Sequence, residues 1–122
     1  MAKRPRRPSS LASAAALKRV RRAAATLTDV EETTTFGNPT FKVRRKSFAV
    51  IDHYDERDCL WLRVSVADRE RLLKCRGWFP SPYDPRRTAL CCALEQFDWR
   101  RLRSLLRASY ELAAHQEQKV FQ

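Results

Sequence analysis

Four short segments rich in β-branched and aromatic residues, separated by turns of two to four residues, occupy positions 33–64. They are segments 33–36, 40–44, 47–54 and 59–64. The first turn contains Gly37-Asn38-Pro39, a strong turn signal, and the third is the acidic stretch 55–58. Strand-like segments joined by such short turns predict a meander of antiparallel strands. This feature constrains the fold more than any other.

Helical patterns flank the predicted strands. Apolar residues recur at helical spacing from residue 11 to about 27, and Ser65 is a typical N-cap for a short helix reaching about residue 75. Three prolines exclude a helix from 77–85, and 88–94 reads as a final strand. Asp98 is expected to cap a long C-terminal helix. The sequence therefore predicts an α+β two-layer sandwich, with an antiparallel sheet packed against N- and C-terminal helices.

Alternation along the second and third segments predicts which side chains face the helices. The apolar set expected on that face is Phe41, Val43, Phe48 and Val50. Lys42 and Arg44 then project from the open face of the sheet. Arg45 and Lys46 occupy the tip of the hairpin. We therefore expect four cations to stand together and point away from the core.

The charge of the chain is strongly positive and unevenly placed. The 122 residues carry 25 cations and 14 acids, for a net charge of +11. Residues 1–25 hold eight of the cations and no acid. We predict a disordered basic arm at 1–10, a single domain at 11–117 and a tail at 118–122. Such an arm favours binding to nucleic acid or to an acidic surface, although many arms of this kind are simply solvated. Its composition also resembles that of an organellar transit peptide.

The remaining composition favours a reduced, cytoplasmic protein. No apolar run approaches the roughly 20 residues of a membrane-spanning helix, so no membrane association is expected. The four cysteines (Cys59, Cys75, Cys91 and Cys92) form no CxxC pair, and the two histidines lie far from them in sequence. We expect free thiols that pack as small apolar groups, with no metal site and no cofactor.

A set of short motifs resembles the MmcQ/YjbR-like family, small proteins of frataxin-like (CyaY-like) fold. The motifs are Phe36-Gly37, Pro39, Phe41-Lys42-Val43, Lys46-Ser47-Phe48-Ala49, Pro82-Tyr83, Asp98-Trp99 and Ser109-Tyr110. The resemblance spans about residues 28–113. The chain departs from the family pattern at Arg44-Arg45, where glycine is usual, and at Thr88-Ala89, near the usual position of a tryptophan.

This resemblance implies a DNA-binding protein with a double-wing fold. The candidate contacts are Lys42, Arg44, Arg45, Lys46, Arg86 and Arg87. The first four could equally be a solvated turn whose charge prevents edge-to-edge aggregation. Trp78 and Phe79, in the same loop region as Arg86 and Arg87, are expected to pack into the core rather than stack on bases. The outer arginines of the last helix are read as its solvated side.

We therefore expect a monomeric, non-enzymatic protein that holds nucleic acid, DNA rather than RNA, through phosphate contacts of little sequence specificity. The alternative is a protein-interaction module that docks an acidic partner. An enzyme is the least favoured reading, because neighbours along a strand such as Asp52 and His53 point to opposite faces. A frataxin-like iron site would need an acidic ridge, and the first helix is cationic instead.

Overall fold

The computed structural model describes residues 10–82, 84 and 86–115, which form a six-stranded antiparallel sheet with helices packed against it. The strands are β1 (Val30–Thr35), β2 (Asn38–Val43), β3 (Lys46–Tyr54), β4 (Arg57–Arg63), β5 (Trp78–Pro80) and β6 (Ala89–Ala93). The helices are α1 (Leu11–Ala24), α2 (Val66–Leu73) and α3 (Leu102–Ala114), and 3₁₀ turns at Leu94–Gln96 and Trp99–Arg101 precede α3. The predicted α+β sandwich is confirmed.

The order of the strands across the sheet is β1-β2-β3-β4-β6-β5, and every neighbouring pair is antiparallel. The predicted four-stranded meander therefore forms one side of the sheet. The strand β5 was not predicted, because its three residues end in Pro80. A proline is tolerated there because β5 is an edge strand, where a missing N–H breaks no ladder bond.

Three hairpins of the meander share one turn geometry. Two residues join each pair of strands, and all six have positive φ: Phe36–Gly37 (52° and 83°), Arg44–Arg45 (51° and 68°) and Asp55–Glu56 (55° and 64°). Positive φ at both central residues is the signature of the type I′ turn, whose twist matches that of the flanking strands. Only one of the six residues is glycine, so these turns hold ordinary side chains in a strained backbone region.

Serine side chains start two of the helices. The Ser10 hydroxyl accepts the Ser13 N–H at 2.9 Å at the start of α1, and Ser65 accepts the Asp68 N–H at 3.1 Å at the start of α2. The predicted cap at Ser65 is confirmed. Ser10, which we assigned to the arm, is already part of the folded domain. Residues 1–9 of the predicted arm and the whole predicted tail lie outside the described residues.

The core lies between the sheet and the helices. Its fully buried large side chains include Phe41, Phe48, Leu60, Leu62, Leu72, Leu90, Leu106 and Val20. The predicted orientation of Val50 is wrong. A β-bulge shifts the β2–β3 register, so that Phe41 pairs with Ala49 and places Ala49 in the core. Val50 pairs with Trp61 on the opposite face of the sheet.

Two consecutive residues fasten α3 to the sheet. The Ser109 hydroxyl is fully buried; it donates to the Phe48 carbonyl at 2.6 Å and accepts the Arg63 N–H at 2.9 Å. The Tyr110 hydroxyl donates to the Thr28 carbonyl at 2.6 Å, and its ring meets Phe48 edge-on at 5.4 Å between centroids. Both side chains therefore anchor the helix through hydroxyl groups.

All four cysteines are free, and three are buried as predicted, whereas Cys75 is exposed. Burial raises the pKa of Cys92 to about 12. A hydrogen bond with Cys91, together with burial, raises the pKa of Cys59. The thiols of Cys59 and Cys92 therefore stay protonated at neutral pH. Within the described ranges, no group of three or more histidine, cysteine, aspartate or glutamate side chains is arranged to hold a metal ion.

Candidate nucleic-acid interface

The β2–β3 turn consists of two arginines in left-handed backbone conformation. Arg44 has φ of 51° and Arg45 has φ of 68°, and both side chains are exposed. Residues other than glycine, asparagine and aspartate rarely occupy this region, at a cost on the order of 1–3 kcal/mol each. The Asp55–Glu56 turn has the same backbone geometry, so the left-handed conformation is common to the hairpins of this fold. Of the three hairpin turns, only the β2–β3 turn places cations at these positions.

Arg44 does not project from the open face of the sheet, and the predicted direction of its side chain is wrong. Its guanidinium Nη1 donates to the Ala114 carbonyl at 3.1 Å, at the C-terminal end of α3. A cation here satisfies an otherwise unpaired helix carbonyl and stabilises the negative end of the helix dipole. Arg44 therefore holds the turn against the helices while keeping its charge at the hairpin end.

The two lysines of the hairpin lie in different settings. Lys42 pairs in register with Ser47 on one side and with Glu31 on the other, so an acid stands directly across from it on the sheet. Lys46 pairs with Val43 next to the turn. Both lysines are partly buried, whereas the arginines between them are exposed. Arg45 is therefore the hairpin cation best placed to meet an external anion, and Lys42 is the most compensated.

The loop arginines lie at the same end of the sheet as this hairpin tip. β3 begins beside the tip, β4 runs back to that end, and Arg63 at the end of β4 pairs with Ala89 at the start of β6. Arg86 and Arg87, just before β6, are exposed. Because only β4 separates β3 from β6, the strands that follow the two groups lie two strand spacings, about 10 Å, apart. We call Lys42, Arg44, Arg45, Lys46, Arg86 and Arg87 together the basic end.

Neighbouring side chains fix the backbone of this loop. The Arg69 Nη1 donates to the Arg87 carbonyl at 3.1 Å and to the Ala89 carbonyl at 3.2 Å. The Asp84 carboxylate accepts from the Thr88 hydroxyl at 3.1 Å and from the Ala89 N–H. The loop therefore presents its arginines from an anchored backbone. Tyr83 and Pro85 of this loop lie outside the described residues.

Four cations of the basic end have no ion-pair partner among the described residues. No carboxylate in the described part of the chain lies within 4.0 Å of a charged nitrogen of Arg45, Lys46, Arg86 or Arg87, although such ion pairs form elsewhere, as between Arg21 and Glu32 at 2.7 Å. Four acids of the meander, Asp52, Asp55, Glu56 and Asp58, gather at the other end of the strands, which we call the acidic end. Two further acids, Glu31 and Glu32 on β1, lie near the basic end, where Glu31 is in register with Lys42 and Glu32 pairs with Arg21.

Arg63 is a cation near the basic end that our sequence analysis did not single out. Its Nε donates to the Ser47 carbonyl at 2.6 Å, and its guanidinium lies 5.8 Å from the centroid of the Trp61 ring. Burial lowers the pKa of Arg63, and Asp84 acts in the opposite direction. This arginine braces β4 against the start of β3. No local pattern predicts that contact, because it depends on strand pairing.

Polar side chains at the acidic end follow a different arrangement. The Asp58 carboxylate contacts His53 Nδ1 at 2.9 Å and accepts from the Ser10 hydroxyl at 2.7 Å. Asp58 thus joins the start of α1 to the sheet. Ser47 lies at the opposite end of β3 from His53.

Across the described ranges, no helix is both long and apolar enough to cross a membrane.

Comparisons with known proteins agree with this architecture. The family model described as YjbR matches residues 25–112. A Deinococcus radiodurans protein with a domain described as DUF419 has a similar crystal structure, with a TM-score of 0.67, 24% sequence identity, and coverage of 83% of this chain and 86% of that one. A Pseudomonas syringae protein superposes with a TM-score of 0.63 at 16% identity, covering 80% and 97% respectively. No curated protein matches the chain.

Proposed function

The chain belongs to the YjbR family, and we propose that it is a non-enzymatic protein that binds double-stranded DNA through the phosphate contacts of its basic end. One observation carries this proposal: two pairs of exposed arginines, Arg44–Arg45 and Arg86–Arg87, stand at the same end of the sheet. The strands that follow the two pairs, β3 and β6, lie about 10 Å apart in the sheet, which is comparable to the roughly 12 Å width of the DNA major groove. The two pairs can therefore reach phosphates on both sides of a groove.

The electrostatics support the same conclusion. Clustered cations repel one another and reduce stability unless an anion is present. Here Arg45 and Arg87 also occupy left-handed backbone positions, with φ of 68° and 59°. Guanidinium groups form bidentate hydrogen bonds with phosphate, the strongest contacts available to a surface cation. A DNA backbone would therefore relieve the repulsion and use the geometry of both groups.

The proposed contacts read little or no sequence. Phosphate contacts fix the position and orientation of a protein on the duplex and carry no direct base information. With about 6–10 such contacts, affinity should fall by roughly three to five decades between 50 and 200 mM salt. The protein is expected to act in the cytoplasm as a monomer, with DNA as the favoured polyanion and no cofactor.

Fluorescence anisotropy of a labelled duplex at 50 and 200 mM salt tests this proposal. We expect Arg45→Ser/Lys46→Ser and Arg86→Ser/Arg87→Ser each to weaken binding at least about tenfold and to lower the salt slope by about one per lost contact. The matched control is Lys74→Ser/Arg76→Ser, which removes two exposed charges between α2 and β5. The control should change affinity by less than about threefold.

Two results would reject the proposal. One is an affinity for duplex that is independent of salt. The other is an equal loss of duplex affinity in the control and in the basic-end variants, which would show that binding depends only on the net charge of the protein. Deletion of residues 1–9 tests the alternative of an acidic protein partner, because that alternative predicts that DNA retention depends on the arm alone. The deletion stops before α1, whose Ala16 and Val20 are buried.

A further inference from the structure

The outer side of the helix layer carries like-charged pairs on two neighbouring helices. Lys18 and Arg22 on α1 are four residues apart and exposed, and so are Arg103 and Arg107 on α3. Like charges at this spacing repel each other and destabilise a helix. A merely solvated helix surface usually alternates the signs of its charges. The charges of these two pairs do not alternate in sign.

Three acids near these helices are already engaged. Glu32 pairs with Arg21 at 2.7 Å, Asp98 with Arg100 at 3.1 Å and Glu111 with His115 at 3.3 Å. α1 contains no acid, and Glu111 is the single acid of α3. Within the part of the chain that the structure describes, no carboxylate lies within 4.0 Å of a charged nitrogen of the two like-charged pairs.

A fifth cation lies between the two helices. The Arg19 guanidinium of α1 lies 5.0 Å from the centroid of the Trp99 ring, just before α3, in the geometry of a cation–π contact. The two helices also pack against each other. The five cations Lys18, Arg19, Arg22, Arg103 and Arg107 therefore form one surface, which we call the helix-layer patch.

This patch faces a different direction from the basic end, and most of it lies farther back along the helices. Both helices finish near the basic end, since Ala114 accepts from Arg44 and the strand after α1 begins opposite Val43. Lys18 lies about 9 Å before the end of α1 and Arg107 about 10.5 Å before the end of α3, whereas Arg22 lies about 3 Å before the end of α1. The outer side of the helix layer points away from the sheet, roughly at a right angle to the strand ends. DNA is stiff over about 150 base pairs, so one duplex does not follow both surfaces.

We propose that the helix-layer patch is a second phosphate-binding surface, with which one protein molecule bridges two DNA segments. This inference rests on the proposed function, since the first segment is held at the basic end. The second segment is bound by the same chemistry, phosphate against arginine and lysine, and likewise without base readout. Where the two segments belong to one DNA molecule, binding of the first segment raises the effective concentration of the second at the other surface.

A bridging assay with the full chain tests this directly. A duplex is immobilised on beads, and retention of a second, labelled duplex of unrelated sequence is measured with and without protein. Wild type should retain the labelled duplex. A variant with Lys18, Arg22, Arg103 and Arg107 each changed to Gln should lose at least about fivefold of that retention, and its affinity for one duplex should stay within about threefold. Glutamine keeps the helix propensity of lysine and arginine, so the fold is retained.

Controls separate the possible outcomes. Lys74→Ser/Arg76→Ser should bridge like wild type, and sedimentation should show a monomer, so that a protein dimer does not account for bridging. The inference is overturned if wild type fails to bridge, or if the quadruple variant bridges normally. It is also overturned if that variant loses single-duplex affinity as strongly as the basic-end variants, because the two surfaces would then be one footprint. If anisotropy shows no duplex binding at all, the proposed function itself has failed.

Discussion

The Arg44 guanidinium donates to the Ala114 carbonyl across the gap between the β2–β3 turn and the end of α3. These residues are 70 positions apart in the chain. The contact joins the candidate binding turn to the helix layer, so Arg44 serves the fold as well as the surface charge. Arg45, its neighbour in the same turn, has no such contact among the described residues.

This contrast predicts different stability effects for two adjacent arginines. Arg44→Ala should lower the free energy of unfolding by about 1 kcal/mol, because it removes a charged hydrogen bond to a helix terminus. Arg45→Ala should change that free energy by less than about 0.5 kcal/mol. Urea denaturation followed by circular dichroism measures both. Equal effects of the two substitutions would argue against the capping role of Arg44.

The backbone strain of the turn predicts a variant that folds better and binds worse. Arg45→Gly should raise the free energy of unfolding by about 1 kcal/mol, since glycine adopts positive φ without the steric penalty. The same change removes a proposed phosphate contact, so duplex affinity should fall about three- to tenfold in anisotropy. Stability and binding would thus move in opposite directions.

Glu56→Gly is the matched control, because Glu56 holds the same position in the β3–β4 turn with φ of 64°. It should stabilise the protein to a similar extent while leaving duplex affinity unchanged or slightly improved. A loss of affinity in this control would show that turn rigidity, rather than the charge of Arg45, governs binding.

The buried hydroxyl of Ser109 predicts a large effect from a small change. Ser109→Ala should lower the free energy of unfolding by about 2–3 kcal/mol, because it leaves the Phe48 carbonyl and the Arg63 N–H without their partner. Ser104→Ala, at an exposed position of the same helix, should cost less than about 0.5 kcal/mol. Thermal denaturation of both variants compares them, and similar midpoints would refute the bridging role of Ser109.

The burial of the thiols predicts selective labelling. In the native protein at pH 8, a thiol reagent should modify Cys75 rapidly and the three buried cysteines only on unfolding. The raised pKa of Cys92, about 12, keeps that thiol protonated at pH 8. Because its folded pKa lies above the unfolded value near 8.5, the stability it contributes is present at neutral pH and declines as the pH rises from about 8.5 toward 12. Rapid labelling of more than one thiol in the native protein would contradict this picture.

Much of the fold follows from local sequence patterns. Alternating strands with short turns predicted the meander, and Ser65 marked a helix start at the residue where the structure places it. The burial of Leu102 and Leu106 follows from helical spacing alone. These features depend on interactions between residues close in the chain, which is why the sequence reveals them.

The features that escaped prediction depend on pairing between distant segments. The bulge at Phe48 moved Val50 to the opposite face, because one extra residue reverses the alternation of a strand. The direction of Arg44 depends on where α3 ends. The sequence predicted which cations stand at the hairpin, but not that Arg86 and Arg87 share their end of the sheet, since that depends on the order β4-β6-β5.

This strand order links charge assembly to the completion of folding. The meander can pair using residues 30–63, whereas the loop arginines reach the hairpin tip only once β6 has paired with β4. A partly folded chain would therefore display the tip cations without the loop cations. A polyanion that contacts both the tip cations and the loop cations would bind the folded domain more tightly than any intermediate. It would therefore shift the folding equilibrium toward the folded domain by mass action.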